Sequence, residues 1–205
     1  VQVVVTTEDT WVSITNGTID VGDIADGASL IAEGFAFDVV PGVEDGHVVL
    51  FLVEITDANN NVWSTQFNIV LNAPALEVVG LEVVDGGNGI MDSGENVDLV
   101  FEIANNGHDL AYSLENSISI SNPNLTINNA TFSSGNLDEG VTTFATFNVD
   151  VSLDAGAGEI ATIDFLGEAG LYSTEDTFVE VINLIIEDWE SGNTDQFEWE
   201  MDGYA

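Results

Sequence analysis

The sequence predicts an all-β fold of tandem sandwiches, and three observations predict it: apolar residues at period two, turn formers between the runs, and an internal repeat. Alternation marks strands because successive side chains point to opposite faces of a sheet. Val97, Leu99, Phe101 and Ile103 alternate with Asp98 and Glu102. Phe147, Val149 and Val151 alternate with Thr146, Asn148 and Asp150, and the sets Phe35, Phe37, Val39 and Phe67, Ile69, Leu71 follow the same rhythm. Between the runs lie Asn16-Gly17, Asp26-Gly27, Pro41-Gly42, Asp45-Gly46, Asn106-Gly107, Glu139-Gly140 and Gly156-Ala157-Gly158, all turn chemistry. No stretch carries a 3.6 period with caps, so no helix is expected.

The repeat sets the architecture. Residues 11–27 align without gaps on residues 124–140 at an offset of 113, the difference between Ile127 and Ile14. Identities fall at Ile14/Ile127, Asn16/Asn129, Thr18/Thr131, Gly22/Gly135 and Gly27/Gly140. Phe67 matches Phe178 and Asn72 matches Asn183 at an offset of 111. The strands around Asp150 and Phe165 mirror those around Asp38 and in the Val48–Ile55 run. Many short strands at regular spacing point to immunoglobulin-like β-sandwiches. The complete copy spans 74–183. The copy in 1–73 is incomplete, because it begins where the other has reached about Leu114, leaving residues 76–113 without a counterpart. A sandwich short of its opening strands is expected to expose an edge, so the chain reads as a piece of a longer polypeptide. Asn72-Ala73-Pro74 reads as a linker, since proline cannot extend a ladder. Residues 184–205, rich in acid and tryptophan, read as the opening strands of a third, truncated β domain.

Charge excludes several functions. The 205 residues carry 37 Asp and Glu and no Lys or Arg, for a formal net charge of −37. An ordinary chain of this length has about twenty basic residues. Two readings stand open: a sequence assigned without its bases, or selection against Lys and Arg beside a protease that cuts at them. Neutralising nucleic-acid phosphates or binding anionic lipid requires cations the chain does not have, so neither partner is expected. No apolar run reaches the length of a membrane span, and membrane insertion is not expected. With no cysteine, disulfides, thiolate metal sites and Cys–His nucleophiles are all excluded. Like charge repels itself in a compact chain, and a bound cation is the natural offset.

One loop carries the pattern for such a cation. Asp85-Gly-Gly-Asn-Gly-Ile-Met-Asp-Ser-Gly-Glu95 places Gly89 six residues before Glu95, the spacing of turn glycine and bidentate glutamate in calcium loops. Asn88 and Asp92 fall at liganding positions five and nine. Val84 and Gly86 stand where the first two acids of an EF-hand belong, so Asp85 would act in a different loop geometry. The expected calcium ligands are Asp85, Asn88, Asp92 and Glu95, with a backbone carbonyl at Ile90; the alternative is an acidic turn with no ion. No catalytic constellation emerges. His47 and His108 each follow a turn dipeptide, and no serine lies in a G-x-S-x-G elbow. Trp11 and Trp63 read as core or strand-edge residues, whereas Trp189 and Trp199 are open to either core packing or sugar stacking.

The segment Asn88-Gly-Ile-Met-Asp-Ser-Gly-Glu95, followed by a strand and by Asn105-Asn-Gly107, resembles the N-G-x-L-D-P-G-E … N-x-G pattern of Ig-like modules in secreted Bacteroidetes proteins. Such modules follow the catalytic domain of gingipain-type cysteine peptidases exported by type IX secretion. Glu187-Asp-Trp-Glu-Ser-Gly192 with Phe197-Glu-Trp199 is similar to the start of the cleaved-adhesin, or MAM-like, jelly-roll domains of those proteins. The chain departs from the pattern at Met91, usually leucine, and at Ser93, usually proline. The resemblance implies calcium at the acidic loop and an extracellular or cell-surface location. The expected function is a non-catalytic accessory segment with a spacing or adhesion role, partnered by neighbouring domains of its own polypeptide. The alternatives are a module binding carbohydrate or a host surface protein, or a part of a cysteine protease whose catalytic domain lies elsewhere.

Overall fold

The computed structural model describes residues 1–184 and contains fourteen strands, with no helix among the described residues. The first sandwich is built from β1 (Gln2–Thr6), β2 (Val12–Asn16), β3 (Thr18–Asp20), β4 (Ala36–Val39), β5 (His47–Thr56) and β6 (Val62–Leu71). The second uses β7 (Leu76–Val84), β8 (Asn96–Asn105), β9 (Ala111–Ile120), β10 (Leu125–Ile127), β11 (Thr131–Leu137), β12 (Thr142–Val151), β13 (Glu159–Ala169) and β14 (Tyr172–Ile182). The third β unit expected over 184–205, with Trp189 and Trp199, lies outside the described residues apart from Leu184.

All pairing is antiparallel. The second sandwich faces a sheet of order β10-β12-β8-β7 with one of order β11-β9-β13-β14. These orders match the ABED and GFCC′ sheets of an immunoglobulin domain, with one departure: the edge strand beside β12 precedes in sequence the one beside β9. The first sandwich repeats the second sheet as β3-β1-β5-β6, but its other sheet has only β2 and β4.

The repeat extends to register. Val3 pairs with Ile19 as Asn116 pairs with Phe132, both members displaced by 113. His47 pairs with Leu71 as Glu159 pairs with Ile182, and Val12 with Val39 as Leu125 with Val151. A one-residue slip would turn every core side chain to solvent, so matched register means matched inward faces. β1 is thus the counterpart of β9, and the strands without counterparts are β7 and β8.

Each sandwich has its own core. In the second, the alternating residues Val97, Leu99, Phe101 and Ile103 of β8 are fully buried. Phe101 stacks on Phe165 at 4.7 Å and meets Phe147 and Phe178 edge-on at 5.7 and 5.4 Å. Each fully buried phenylalanine of this set, Phe101, Phe147 and Phe165, contributes about 1.5–3 kcal/mol by burial. In the first, Phe51 is the centre, with Phe67 stacked at 5.1 Å and Phe37 tilted at 5.3 Å. Trp11 packs beside this core, whereas Trp63 lies exposed on the edge strand β6. His47, read from sequence as a turn residue, opens β5 instead, where Asp9 meets its Nε2 at 2.7 Å.

Candidate functional site

Side-chain hydrogen bonds are dense at the joint between the two sandwiches. Strand β6 ends at Leu71 and β7 starts at Leu76, so residues 72–75 form a linker outside any strand ladder. The turn after β8 supplies partners. Asn105 is completely buried; its Oδ1 accepts from the N–H groups of Ala75 and Gly107, each at 3.1 Å. Its Nδ2 donates to the carbonyls of Asp109 at 2.8 Å and Leu137 at 3.1 Å. All four hydrogen-bonding capacities of the side-chain amide are therefore used. The N–H of Asn106 donates to Ala75 O at 2.8 Å, and that of His108 to Ala73 O at 3.0 Å. The linker crosses so close to Gly107 that a Cβ there would lie 2.2 Å from Ala73 O and 2.4 Å from Ala75 N. Only glycine permits that approach.

The first sandwich contributes Asp45, from the turn before β5. Its Oδ1 accepts from the N–H of Ala73 at 2.9 Å and of His108 at 3.1 Å, while Oδ2 meets His108 Nδ1 at 2.8 Å. One carboxylate thus ties module one, the linker and module two together. Tyr172 of β14 also packs against the core of the first sandwich.

These contacts perturb both titrating groups. The Ala73 N–H is the largest influence holding Asp45 below the ordinary carboxylate value, reinforced by the His108 ring. The Asp45 carboxylate, by hydrogen bond first and charge second, raises His108 above its usual 6.5. A raised histidine contributes stability that is full below its unfolded pKa and fades as pH climbs through the folded value. A depressed aspartate contributes above its unfolded pKa and fades as pH falls through the folded value. The joint is therefore tightest between about pH 4 and pH 6.5. In an NMR titration, His108 is expected to titrate above 6.5 and to return to it in Asp45→Asn; a value at or below 6.5 in the unmodified chain contradicts the ion pair.

The acidic loop sits at the other end of β8. Asp85 turns back on its own loop, accepting from the N–H groups of Gly87 at 2.7 Å, Asn88 at 3.1 Å and Gly89 at 3.2 Å. The Gly87 N–H is the largest influence holding its pKa below the ordinary value. Asn88 Oδ1 accepts from the Ile90 N–H at 2.9 Å and its Nδ2 donates to Asp92 Oδ2 at 3.0 Å. The Asp92 N–H donates to Glu95 Oε2 at 2.9 Å. The five expected ligands thus share one loop, closed by its own hydrogen bonds. Among the described residues, no three acidic or histidine side chains converge into a group that could hold a metal ion.

The same loop grips the outgoing chain. Met91 is buried as a plug in the core, and its carbonyl accepts from Asn183 N–H at 2.9 Å. The Ser93 N–H donates to Asn183 Oδ1 at 2.7 Å, and Asn183 Nδ2 donates to Ser93 Oγ at 2.6 Å and Ala155 O at 2.8 Å. A proline at position 93 would have no N–H for the first of these bonds. Serine at this position therefore has a structural consequence. The chain enters module two at the Asn105 end of β8 and leaves at the Asn96 end, about 30 Å away for a ten-residue strand.

No protein-family model matches the chain, and no curated protein matches it either.

Proposed function

We propose that this chain is a non-catalytic spacer of a secreted or cell-surface bacterial protein, holding the segments on either side of it at a set separation. The observation that carries the reading is the placement of the two chain crossings at opposite ends of β8, each clamped by a buried or half-buried side-chain amide. A connector meant to flex would have a loose, solvated linker; here Asn105, Gly107 and Asp45 grip it. The resemblance of Asn88–Glu95 and Asn105–Gly107 to Ig-like modules of secreted Bacteroidetes proteins agrees with this role. The partners in this reading are the neighbouring domains of the same polypeptide.

The test is small-angle scattering of the full chain against Asp45→Ala/His108→Ala. A fixed spacer gives a defined pair-distance distribution that broadens in the double variant. A distribution already as broad in the unmodified chain removes the spacer reading. Calcium enters this reading as a brace at Asp85, Asn88, Asp92, Glu95 and the Ile90 carbonyl. The brace requires a calcium-dependent rise in Tm, larger than in sodium chloride of equal ionic strength and lost in Glu95→Ala. No such rise removes calcium and leaves the spacer role standing.

A further inference from the structure

The first sandwich contains a groove that the second fills with its own residues. In module two, Phe101 of β8 sits among Phe147, Phe165 and Phe178. The matched register makes Phe35, Val53 and Phe67 their counterparts. All three line one apolar cavity of about 390 Å³ between the sheets of module one, together with Ile14, Phe37 and Phe51. In module two the equivalent space is filled by Phe101, and among the described residues module one has no counterpart of it.

The backbone beside the groove gives an independent sign. In module two, Thr142–Phe147 is strand through pairing with β8, because β10 reaches only Val149, Asp150 and Val151. The counterpart stretch in module one, residues 30–35, is not strand, and β4 begins only at Ala36. Within it Leu30 is 53% and Ile31 83% exposed. Strand is absent along the edge where the neighbour is missing, and also at residues 21–24, the counterparts of the end of β11. In module two β7 also lies alongside β14, whereas Phe67 of the equivalent strand β6 is half exposed.

We propose that this groove is the receptor for a β-hairpin of the β7–β8 type, carried ahead of β1 on the same polypeptide. Its inner strand pairs antiparallel with residues 30–39, and a large apolar side chain, as at Phe101, fills the cavity. Chain order favours donation in cis. β8 joins β9 through only Asn106–Leu110, and β1 is the counterpart of β9, so a hairpin just before β1 reaches the groove through an equally short turn. A covalently attached strand also acts at high effective concentration.

The full chain is extended at its N-terminus by a second copy of its own residues 75–113, so that a grafted Ser113 precedes Val1 as Ser113 precedes Leu114. Hydrogen exchange is expected to show amides 30–39 gaining roughly a hundredfold protection, with module two unchanged as the internal control. A graft carrying F101D and L99D should give none. If the unaltered graft protects no more than the double-aspartate graft, the proposal is wrong. Should the fusion not fold, the segment is supplied as a peptide to the unmodified chain. Protection of 30–39 at saturating peptide then supports the groove, and none overturns it. An unmodified chain that sediments as a dimer with 30–39 already protected also overturns it, in favour of a second copy as occupant.

Discussion

Gly107→Ala is expected to lower the thermal midpoint by roughly 6–12 °C, the shift that about 3 kcal/mol of overpacking produces in a domain of this size. The added methyl meets three backbone atoms, Ala73 O, Ala75 N and Pro74 C, the last at 2.8 Å. None can rotate away as a side chain would. Relief requires the linker to lift, which breaks the His108 N–H bond to Ala73 and strains those of Asn105 and Asp45. The melt should therefore change character as well as position, from one coupled transition towards two. Asn105→Ala removes four bonds at a fully buried site and should destabilise comparably, because it leaves several backbone groups unpaired. Asn106→Ala, on the exposed side of the same turn, is the control and should cost well under 1 kcal/mol. A Gly107→Ala midpoint indistinguishable from that of the control would show that the linker does not run where described.

Trypsin should leave the chain intact even in urea, while chymotrypsin degrades it. Folded domains resist proteases only as far as they stay closed, but a chain with no Lys or Arg offers trypsin no primary site when open. Chymotrypsin has eleven Phe, four Trp and three Tyr to attack. Mass spectrometry of the natural protein after both digests separates the two readings of its composition. Peptides ending in Lys or Arg from this region would mean that bases are missing from the sequence, and the charge of −37 would fall with them. An intact tryptic band supports selection beside a protease that cuts at basic residues.

Much of this architecture is legible in the sequence, because glycines in turns and apolar residues at period two are local signals. The ungapped match of Gly22 and Gly27 to Gly135 and Gly140 anticipates the shared register of β3 and β11, since all four residues hold positive φ. The start of copy one near the equivalent of Leu114 anticipates the absence of β7 and β8 counterparts. The joint is harder to read. Asn105-Asn106-Gly107 is visible as a turn, but nothing local says that Asn105 is buried or that a linker thirty residues earlier lies against Gly107. Asp45 and His108 each follow from turn chemistry alone; that they meet depends on how two modules are placed, which no spacing encodes. The acidic loop shows a related gap between spacing and fold. Spacing sees the carboxylates as oxygen donors to an ion, whereas the fold gives Asp85 three backbone N–H groups first, and Met91, unremarkable in sequence, becomes the plug that fixes the outgoing chain.

The placement of β7 and β14 has a mechanical consequence. Strand β7 begins where the chain enters module two, and β14 ends where it leaves, so a pull on the two flanking segments acts along both strands. β7 is held to β8 from Leu76 to Val84, and β14 to β13 from Tyr172 to Ile182. Ladder bonds lie perpendicular to the strands, so the load shears each ladder instead of peeling it from one end. Bonds loaded in shear share the force and must fail together, whereas bonds that unzip fail one at a time. Under traction module two should thus extend late and abruptly, its lifetime set by a forced unfolding rate and not by its equilibrium stability.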